Sequence, residues 1–100
     1  MASVKVERRV YAVPPPQLFG LCLTALGLLR ATIEQHDVEQ GTIVALIGAG
    51  LLGPITELSL ALRSRDERRT ELVATWRARK RGGDRRLLAA FLDAVDGLIE

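Results

Sequence analysis

Residues 48 to 53 carry a glycine spacing that can bind phosphate groups. From Gly48 to Gly53 the chain reads Gly-Ala-Gly-Leu-Leu-Gly, a G-x-G-x-x-G pattern directly after the apolar run of residues 42 to 47. In a dinucleotide site these glycines let the backbone turn tightly, so that a pyrophosphate meets the amino end of a helix. Pro54 follows the third glycine, however, and the next residues alternate as in a strand, with Leu58, Leu60 and Leu62 on one face. We therefore interpret the segment as a connection between antiparallel strands, with NAD or NADP binding as the alternative.

Cationic residues are concentrated in two places. Four arginines surround a predicted hairpin tip, and six cations follow Trp76: Arg63, Arg65, Arg68 and Arg69; then Arg77, Arg79, Lys80, Arg81, Arg85 and Arg86. Nucleic-acid binding needs such charge to displace counterions from phosphates, usually with aromatic side chains that stack on bases. The alternation of residues 72 to 78 points Trp76 inward, and Asp66, Glu67 and Glu71 offer local partners. We predict a solvated hairpin, and nucleic-acid binding is a second alternative.

Residues for catalysis or metal binding are few. His36 is the sole histidine, and Cys22, the sole cysteine, lies in an apolar run. A nucleophile needs a nearby base, and a metal site needs several ligands of the His, Cys or carboxylate type. We therefore predict no catalytic residues, no metal and no cofactor. Cys22 is expected in the core, and His36 in an exposed turn.

The elements that must position these residues follow from periodicity. Apolar and charged residues alternate over residues 3 to 13, so we expect a half-buried strand. Val4, Val6, Val10 and Ala12 would lie on its buried face, and Lys5, Glu7 and Arg9 on its exposed face. Three prolines, residues 14 to 16, end it and begin a helix. Further strands are predicted over 31–37 and 42–47 and in a hairpin over about 54–78, before a last helix that Asp84 can cap. The predicted fold is α+β with the order β-α-β-β-β-β-α, a mainly antiparallel sheet and both helices packed on one face.

Size and composition indicate one small domain spanning residues 1–100. The chain is 48% apolar and carries a net charge of +2, which is too small for the whole surface to attract polyanions. Its first residues are too charged for a secretory signal, and no apolar run approaches the ~18 residues of a membrane span. We expect a cytoplasmic protein.

The element order resembles the helix-grip arrangement shared by TATA-binding-protein-like folds and small relatives of START-type ligand-binding domains. The segments that carry the resemblance are Ala12-Val13-Pro14 before the first helix, residues 33–37 leading to Gly41-Thr-Ile-Val-Ala45, and the terminal helix over 84–99. The resemblance implies a concave space between sheet and helix that can hold a small apolar ligand. In a chain this short we expect leucines, Trp76 and Phe91 to fill it.

The first helix has an unusual outer face. Between Gln17 and Leu29 no residue is charged, and the face opposite the apolar stripe is made of Gly20, Thr24 and Gly27, flanked by Leu23. Such a face suits close approach of another helix, so Gly20, Leu23, Thr24 and Gly27 are the candidate interface. The resulting hypothesis is a non-enzymatic domain that acts by binding, either a protein partner or a second copy of itself, with a small apolar ligand as the less favoured possibility.

Overall fold

A computed structural model of the chain describes residues 4–48, 53–80 and 82–99. Five strands and two helices follow one another in the predicted order: β1 (Val4–Tyr11), α1 (Pro15–Leu28), β2 (Thr32–Asp37), β3 (Thr42–Gly48), β4 (Ile55–Asp66), β5 (Arg69–Lys80) and α2 (Arg86–Ile99). The strands form one antiparallel sheet in the order β1-β5-β4-β3-β2. Both helices pack on the same face of it, and the predicted fold class is confirmed.

Short turns set the register of the sheet. Asp37 accepts hydrogen bonds from the backbone N–H groups of Glu39 and Gln40, which closes the β2–β3 connection. Gly41 ends this turn with a φ of 69°, and a Cβ atom there would stand 2.6 Å from the carbonyl oxygen of Leu62. Only glycine suits that position, because the backbone is left-handed and a neighbouring strand is too close. At the opposite hairpin, Asp66 pairs with Arg69 across a two-residue turn.

The space between sheet and helices is filled by side chains. Trp76 of β5 and Phe91 of α2 are fully buried, as are Leu58 of β4 and Leu26 of α1. Burial at about 25 cal/mol per Å² of apolar surface makes this cluster the main source of stability. Cys22 also lies in it with no exposed surface, and burial raises the pKa of its thiol to about 12. The prediction that Cys22, Trp76 and Phe91 belong to the core is confirmed.

The predicted orientation of β1 is wrong. Arg9 lies opposite Leu72, which is fully buried, so Lys5, Glu7 and Arg9 face the helices. The residues that alternate with them, Val4, Val6 and Val10, lie on the other side of the sheet, where they are 45%, 51% and 49% exposed. β1 is an edge strand, and α2 covers its inner face only in part. A groove remains between β1 and Leu88 and Leu92 of α2, so the charged groups of Lys5, Glu7 and Arg9 can reach water.

Smaller differences concern His36 and Ala12. His36 is exposed, as expected, but it belongs to β2 rather than to a turn. Ala12 is exposed, whereas Tyr11 and Val13 beside it are buried. The difference at His36 comes from the exact end of a strand, which periodicity fixes poorly, whereas Ala12 is exposed because it shares the outward parity of Val4, Val6 and Val10.

Candidate functional site

An open pocket of about 290 Å³ lies at one end of the molecule, between the sheet and the two helices. We call it the mouth pocket. Its described lining comes from the end of α1, the end of β3, the start of β4 and the start of α2: Leu29, Arg30, Ile47, Gly48, Pro54, Thr56, Asp84 and Leu87. Four of these side chains are apolar, and Arg30 and Asp84 are its charged groups among the described residues. The pocket is therefore an apolar depression with a few polar groups at its edge.

The carboxyl end of α1 forms one wall. The helix ends with two hydrogen bonds that depart from the regular helical pattern. The backbone N–H of Ala31 donates to Leu26 O and that of Arg30 donates to Gly27 O, each over 3.0 Å. These two bonds define a Schellman motif, in which the residue after the C-cap takes a left-handed conformation. That residue is Arg30, with a φ of 58°. The motif turns the chain into β2 and places Leu29 and Arg30 at the pocket.

The segment before α2 forms the opposite wall and is fixed by hydrogen bonds to the sheet. The backbone N–H of Asp84 donates to Oγ1 of Thr56 over 2.7 Å, and Nε1 of Trp76 donates to the carbonyl oxygen of Asp84 over 2.8 Å. Gly83 lies so close to β4 that a Cβ atom on it would be 2.9 Å from Thr56 Oγ1. This wall is thus positioned by buried groups of β4 and β5, and Trp76 lies beneath it.

Asp84 caps α2, as the sequence predicts. Its Oδ1 accepts hydrogen bonds from the backbone N–H of Arg86 at 3.0 Å and from Arg86 Nε at 3.1 Å. The Arg86 side chain and its backbone N–H hold the pKa of Asp84 below its usual value. The carboxylate stays ionised near neutral pH and is occupied by the helix it caps, so it is poorly suited to act as a general acid.

Gly48, the first glycine of the G-x-G-x-x-G segment from Gly48 to Gly53, lines the mouth pocket. Gly48 ends β3 and pairs with Ile55 of β4, so the segment joins two antiparallel strands, as predicted; residues 49–52 lie outside the described residues. A dinucleotide fingerprint needs a helix after its glycines. Residues 55–66 form strand β4 instead, which removes the structural basis for the NAD or NADP alternative.

Among the described basic residues, several are engaged by carboxylates. Arg69 lies 2.7 Å from Asp66 and Arg65 lies 3.6 Å from Glu71 at the hairpin tip. Arg77 and Arg79 converge on Glu57, which is only 8% exposed although it lies on the face of the sheet opposite the helices. Trp76 points inward as predicted, so it offers no platform for a base. Nucleic-acid binding itself is untested, and the solvated hairpin stays a prediction.

The proposed interface on α1 is accessible. Gly20, Thr24 and Gly27 are exposed, Leu23 is half-buried, and a Cβ atom added at either glycine would meet nothing within 4 Å. The structure therefore brings the four predicted residues onto one open face, although no partner tests their role. Within the described ranges, no three His, Cys, Asp or Glu side chains are grouped to hold a metal ion, and neither helix is long and apolar enough to cross a membrane.

The resemblance implied a space between sheet and helix, which we expected to be filled, but the residues that line the mouth pocket were not anticipated from the sequence. Pattern alone identified Asp84 as a cap but gave no sign that Thr56 and Trp76 would hold it. Arg30 could have been noticed as the residue that ends the long uncharged helix where a glycine is usual. The pairing of Asp84 with Thr56 joins residues 28 positions apart. Such a link depends on the sheet register and cannot be read from spacing.

The arrangement is that of a helix-grip fold, and solved structures share it over nearly the whole chain. The crystal structure of Ara h 8.0201 matches with a TM-score of 0.74 and 12% identity, covering 99% of this chain and 98% of that one. The Zhui aromatase/cyclase from Streptomyces sp. R1128 matches with a TM-score of 0.70 and 13% identity, covering 98% and 93%. A conserved protein of unknown function, EF2215 from Enterococcus faecalis, matches with a TM-score of 0.61 and 11% identity, covering 99% and 72%.

No family model matches the sequence, and no curated protein matches it. At these identities the likeness to solved structures shows the fold alone. The predicted resemblance to helix-grip folds is confirmed at that level. Any activity must be argued from the residues of this chain.

Proposed function

We propose that this protein is a non-enzymatic binding domain that takes a small, mainly apolar molecule in the mouth pocket. The observation that carries the proposal is the pocket itself, about 290 Å³ in volume, in a domain whose interior is otherwise occupied by Trp76, Phe91 and leucines. Ligand pockets usually measure about 300 to 1,000 Å³ and combine apolar walls with a few polar groups. The mouth pocket is at the small end of that range, so the ligand is small.

The walls suit a ligand better than a reaction. Leu29, Ile47 and Leu87 are half-buried and offer apolar surface from three different elements. Asp84 is committed to capping α2, and the only histidine, His36, belongs to β2 outside the pocket lining. The structural neighbours include an aromatase/cyclase, but its chemistry belongs to that protein. Binding without catalysis is the function that this lining supports.

A neutral apolar fluorophore tests the proposal. We expect 1-N-phenylnaphthylamine to bind saturably, with one site per chain, because burial of its rings removes apolar surface from water. Leu87→Glu places a carboxylate in the apolar wall and should weaken binding about tenfold or more. The fold should tolerate it, since an acidic residue is favourable in the first turn of a helix.

Ala89→Glu is the matched control. Ala89 belongs to the same helix and is exposed, but it lies outside the mouth pocket and beside the β1 groove. It should leave probe affinity unchanged, with both variants folded by circular dichroism. Absence of saturable binding, or equal losses in the two variants, would contradict the proposal.

Self-association through α1 is a second candidate function, supported by the exposed and uncharged face of Gly20, Leu23, Thr24 and Gly27. The face is extended by Leu28, which is 64% exposed. A two-fold dimer is the commonest way to cover such a surface. Covering a few hundred Å² of apolar area contributes several kcal/mol before association costs, at about 25 cal/mol per Å².

Two glycine substitutions make a matched test of this dimer. Gly20 and Gly97 lie on α1 and α2, and a Cβ atom at either would meet nothing within 4 Å. Gly20→Glu puts a charge into the proposed interface, whereas Gly97→Glu puts the same charge on the other helix. By sedimentation equilibrium at tens of micromolar, the parent and Gly97→Glu should be dimers and Gly20→Glu a monomer. A parent that sediments as a 10.9 kDa monomer rules out the dimer.

A further inference from the structure

Arg30 stands in a backbone conformation that its side chain does not favour. Among the described residues it is the only one other than glycine with a positive φ, at 58°. It occupies the position of the Schellman motif where glycine is usual, since a Cβ atom crowds the following carbonyl oxygen in the left-handed region. The other left-handed positions in the described ranges are all glycines, namely Gly41, Gly82 and Gly83. A role for its side chain would account for an arginine at such a strained position.

The side chain of Arg30 is exposed, lines the mouth pocket and makes no ion pair within the described part of the chain. Asp84, the carboxylate across the pocket, is instead bonded by Arg86 at 3.1 and 3.2 Å. The described edge of the pocket therefore carries one guanidinium without a carboxylate partner. Next to it lie the apolar side chains of Leu29, Ile47 and Leu87.

We propose that the ligand of the mouth pocket is an apolar molecule bearing a carboxylate, which Arg30 binds. This inference rests on the proposed binding function and names the class of its ligand. The apolar body lies against Leu29, Ile47 and Leu87, and the carboxylate accepts two parallel hydrogen bonds from the guanidinium of Arg30. The planar fork of arginine matches a carboxylate, and such charge-assisted pairs are among the strongest hydrogen bonds in proteins.

A structural role for Arg30 is the competing explanation. A cation at the carboxyl end of a helix interacts favourably with the helix dipole and with its last carbonyl groups. Lysine would serve that purpose equally well, because the effect depends on charge alone. Asparagine and glycine adopt the left-handed conformation more readily than either cation. These differences separate the two roles by experiment.

The probes are three naphthalene derivatives of nearly the same size: 2-naphthoate, its neutral amide 2-naphthamide, and the cation 2-naphthylmethylammonium. Calorimetric titration at pH 7 should show that the parent binds 2-naphthoate about tenfold or more tightly than 2-naphthamide, and the cation least. In Arg30→Gly and Arg30→Asn the preference for 2-naphthoate should disappear, with 2-naphthamide affinity unchanged. Arg30→Lys should retain part of the preference, because a point charge replaces the fork.

Thermal unfolding without ligand supplies an independent readout. Arg30→Gly relieves the left-handed strain, so its Tm should rise by a few degrees even as carboxylate binding is lost. Arg63→Gln is the control for loss of one positive charge, since Arg63 is exposed on β4 and lies outside the pocket lining. It should change neither the Tm nor the preference for 2-naphthoate.

The outcomes separate this inference from the proposed function. If 2-naphthoate and 2-naphthamide bind equally well, or if Arg30→Gly keeps the carboxylate preference, the role of Arg30 is wrong and the binding function stands. If none of the three compounds binds the parent, the proposed function fails with it. If Arg30→Gly lowers the Tm and leaves the preference intact, the arginine serves the helix end alone.

Discussion

The two ends of this domain are built differently. At one end, which we call the closed end, polar contacts link different parts of the chain: Thr70 Oγ1 of β5 donates to the backbone carbonyl oxygen of Val13, before α1, over 2.6 Å, and Arg9 of β1 pairs with Asp96 of α2 at 2.9 Å. The mouth pocket lies at the other end, between the same sheet and helices. Polar contacts join elements at both ends, but at the open end they lie beside a pocket whose walls are mainly apolar.

The difference shows how a small domain can keep a binding pocket. One hydrophobic core provides the stability, and one end of it is left incompletely covered. The wall of the open end is nevertheless fixed to the sheet, because the backbone of Asp84 is hydrogen-bonded to the side chains of Thr56 and Trp76. Regions that bind ligands are commonly carried on a well-packed framework in this way. Substitutions at the two ends should therefore have different consequences.

Trp76→Ala should have the largest effect, because it removes the base of the open end. Trp76 is fully buried and its Nε1 donates to Asp84 O. Truncation of a buried tryptophan leaves a cavity and costs about 3 to 5 kcal/mol. Urea unfolding followed by far-UV circular dichroism should show this loss in the free energy of unfolding.

Trp76→Phe serves as the comparison for that variant. It keeps most of the apolar contact but leaves the carbonyl oxygen of Asp84 without its donor, so its cost should be clearly smaller, about 1 to 3 kcal/mol. A loss below about 1 kcal/mol for Trp76→Ala would show that the open end does not depend on this residue.

At the closed end, Tyr11 should make stability depend on alkaline pH. Its hydroxyl is buried with no hydrogen-bond partner among the described residues. Burial, together with the negative charge of Asp96, raises the pKa of Tyr11 from 10.0 to about 12. The folded protein thus holds this proton to higher pH than the unfolded chain. The contribution is fully present below pH 10, falls as the pH rises towards 12, and amounts to about 2 to 3 kcal/mol.

Tyr11→Phe isolates this contribution. The free energy of unfolding should fall less steeply between pH 10 and 12 in the variant than in the parent, while the part due to Cys22 is common to both. At pH 7 the variant should be as stable as the parent or slightly more so, because it removes a buried hydroxyl without a partner. Parallel pH curves for the two proteins would contradict the raised pKa.

The central strands could be predicted because both of their neighbours are strands. In β4 and β5 the alternation that placed Leu58, Leu60 and Trp76 inward agrees with the structure, since a paired strand has one face on the core and one away from it. In β1 the same reasoning failed. Its valines are exposed and Arg9 faces the helices, because an edge strand is only partly covered and its register follows its single neighbour.

The candidate site was harder to predict than the fold. The uncharged face of α1 and the cap of α2 at Asp84 can each be recognised from a short stretch of sequence. The mouth pocket joins Leu29, which caps the end of α1, with Ile47 of β3, Thr56 of β4 and Leu87 of α2. The position of Arg30 after the uncharged helix is visible in the sequence, but its left-handed conformation is not, because glycine is the residue that usually marks a Schellman motif.

The smallest effect is expected at the ion pair between Arg9 and Asp96, although it is the most visible polar contact of the closed end. The two side chains are 40% and 46% exposed, so water and salt screen their charges. A double-mutant cycle with Arg9→Gln and Asp96→Asn should give a coupling energy of about 0.2 to 1 kcal/mol that falls further in 1 M NaCl. Asp96→Asn should also lower the pKa of Tyr11, because it removes the negative charge that opposes ionisation of the phenol. A coupling energy above about 2 kcal/mol would mean that the pair is shielded from solvent, and that polar contacts rather than the shared apolar core close this end.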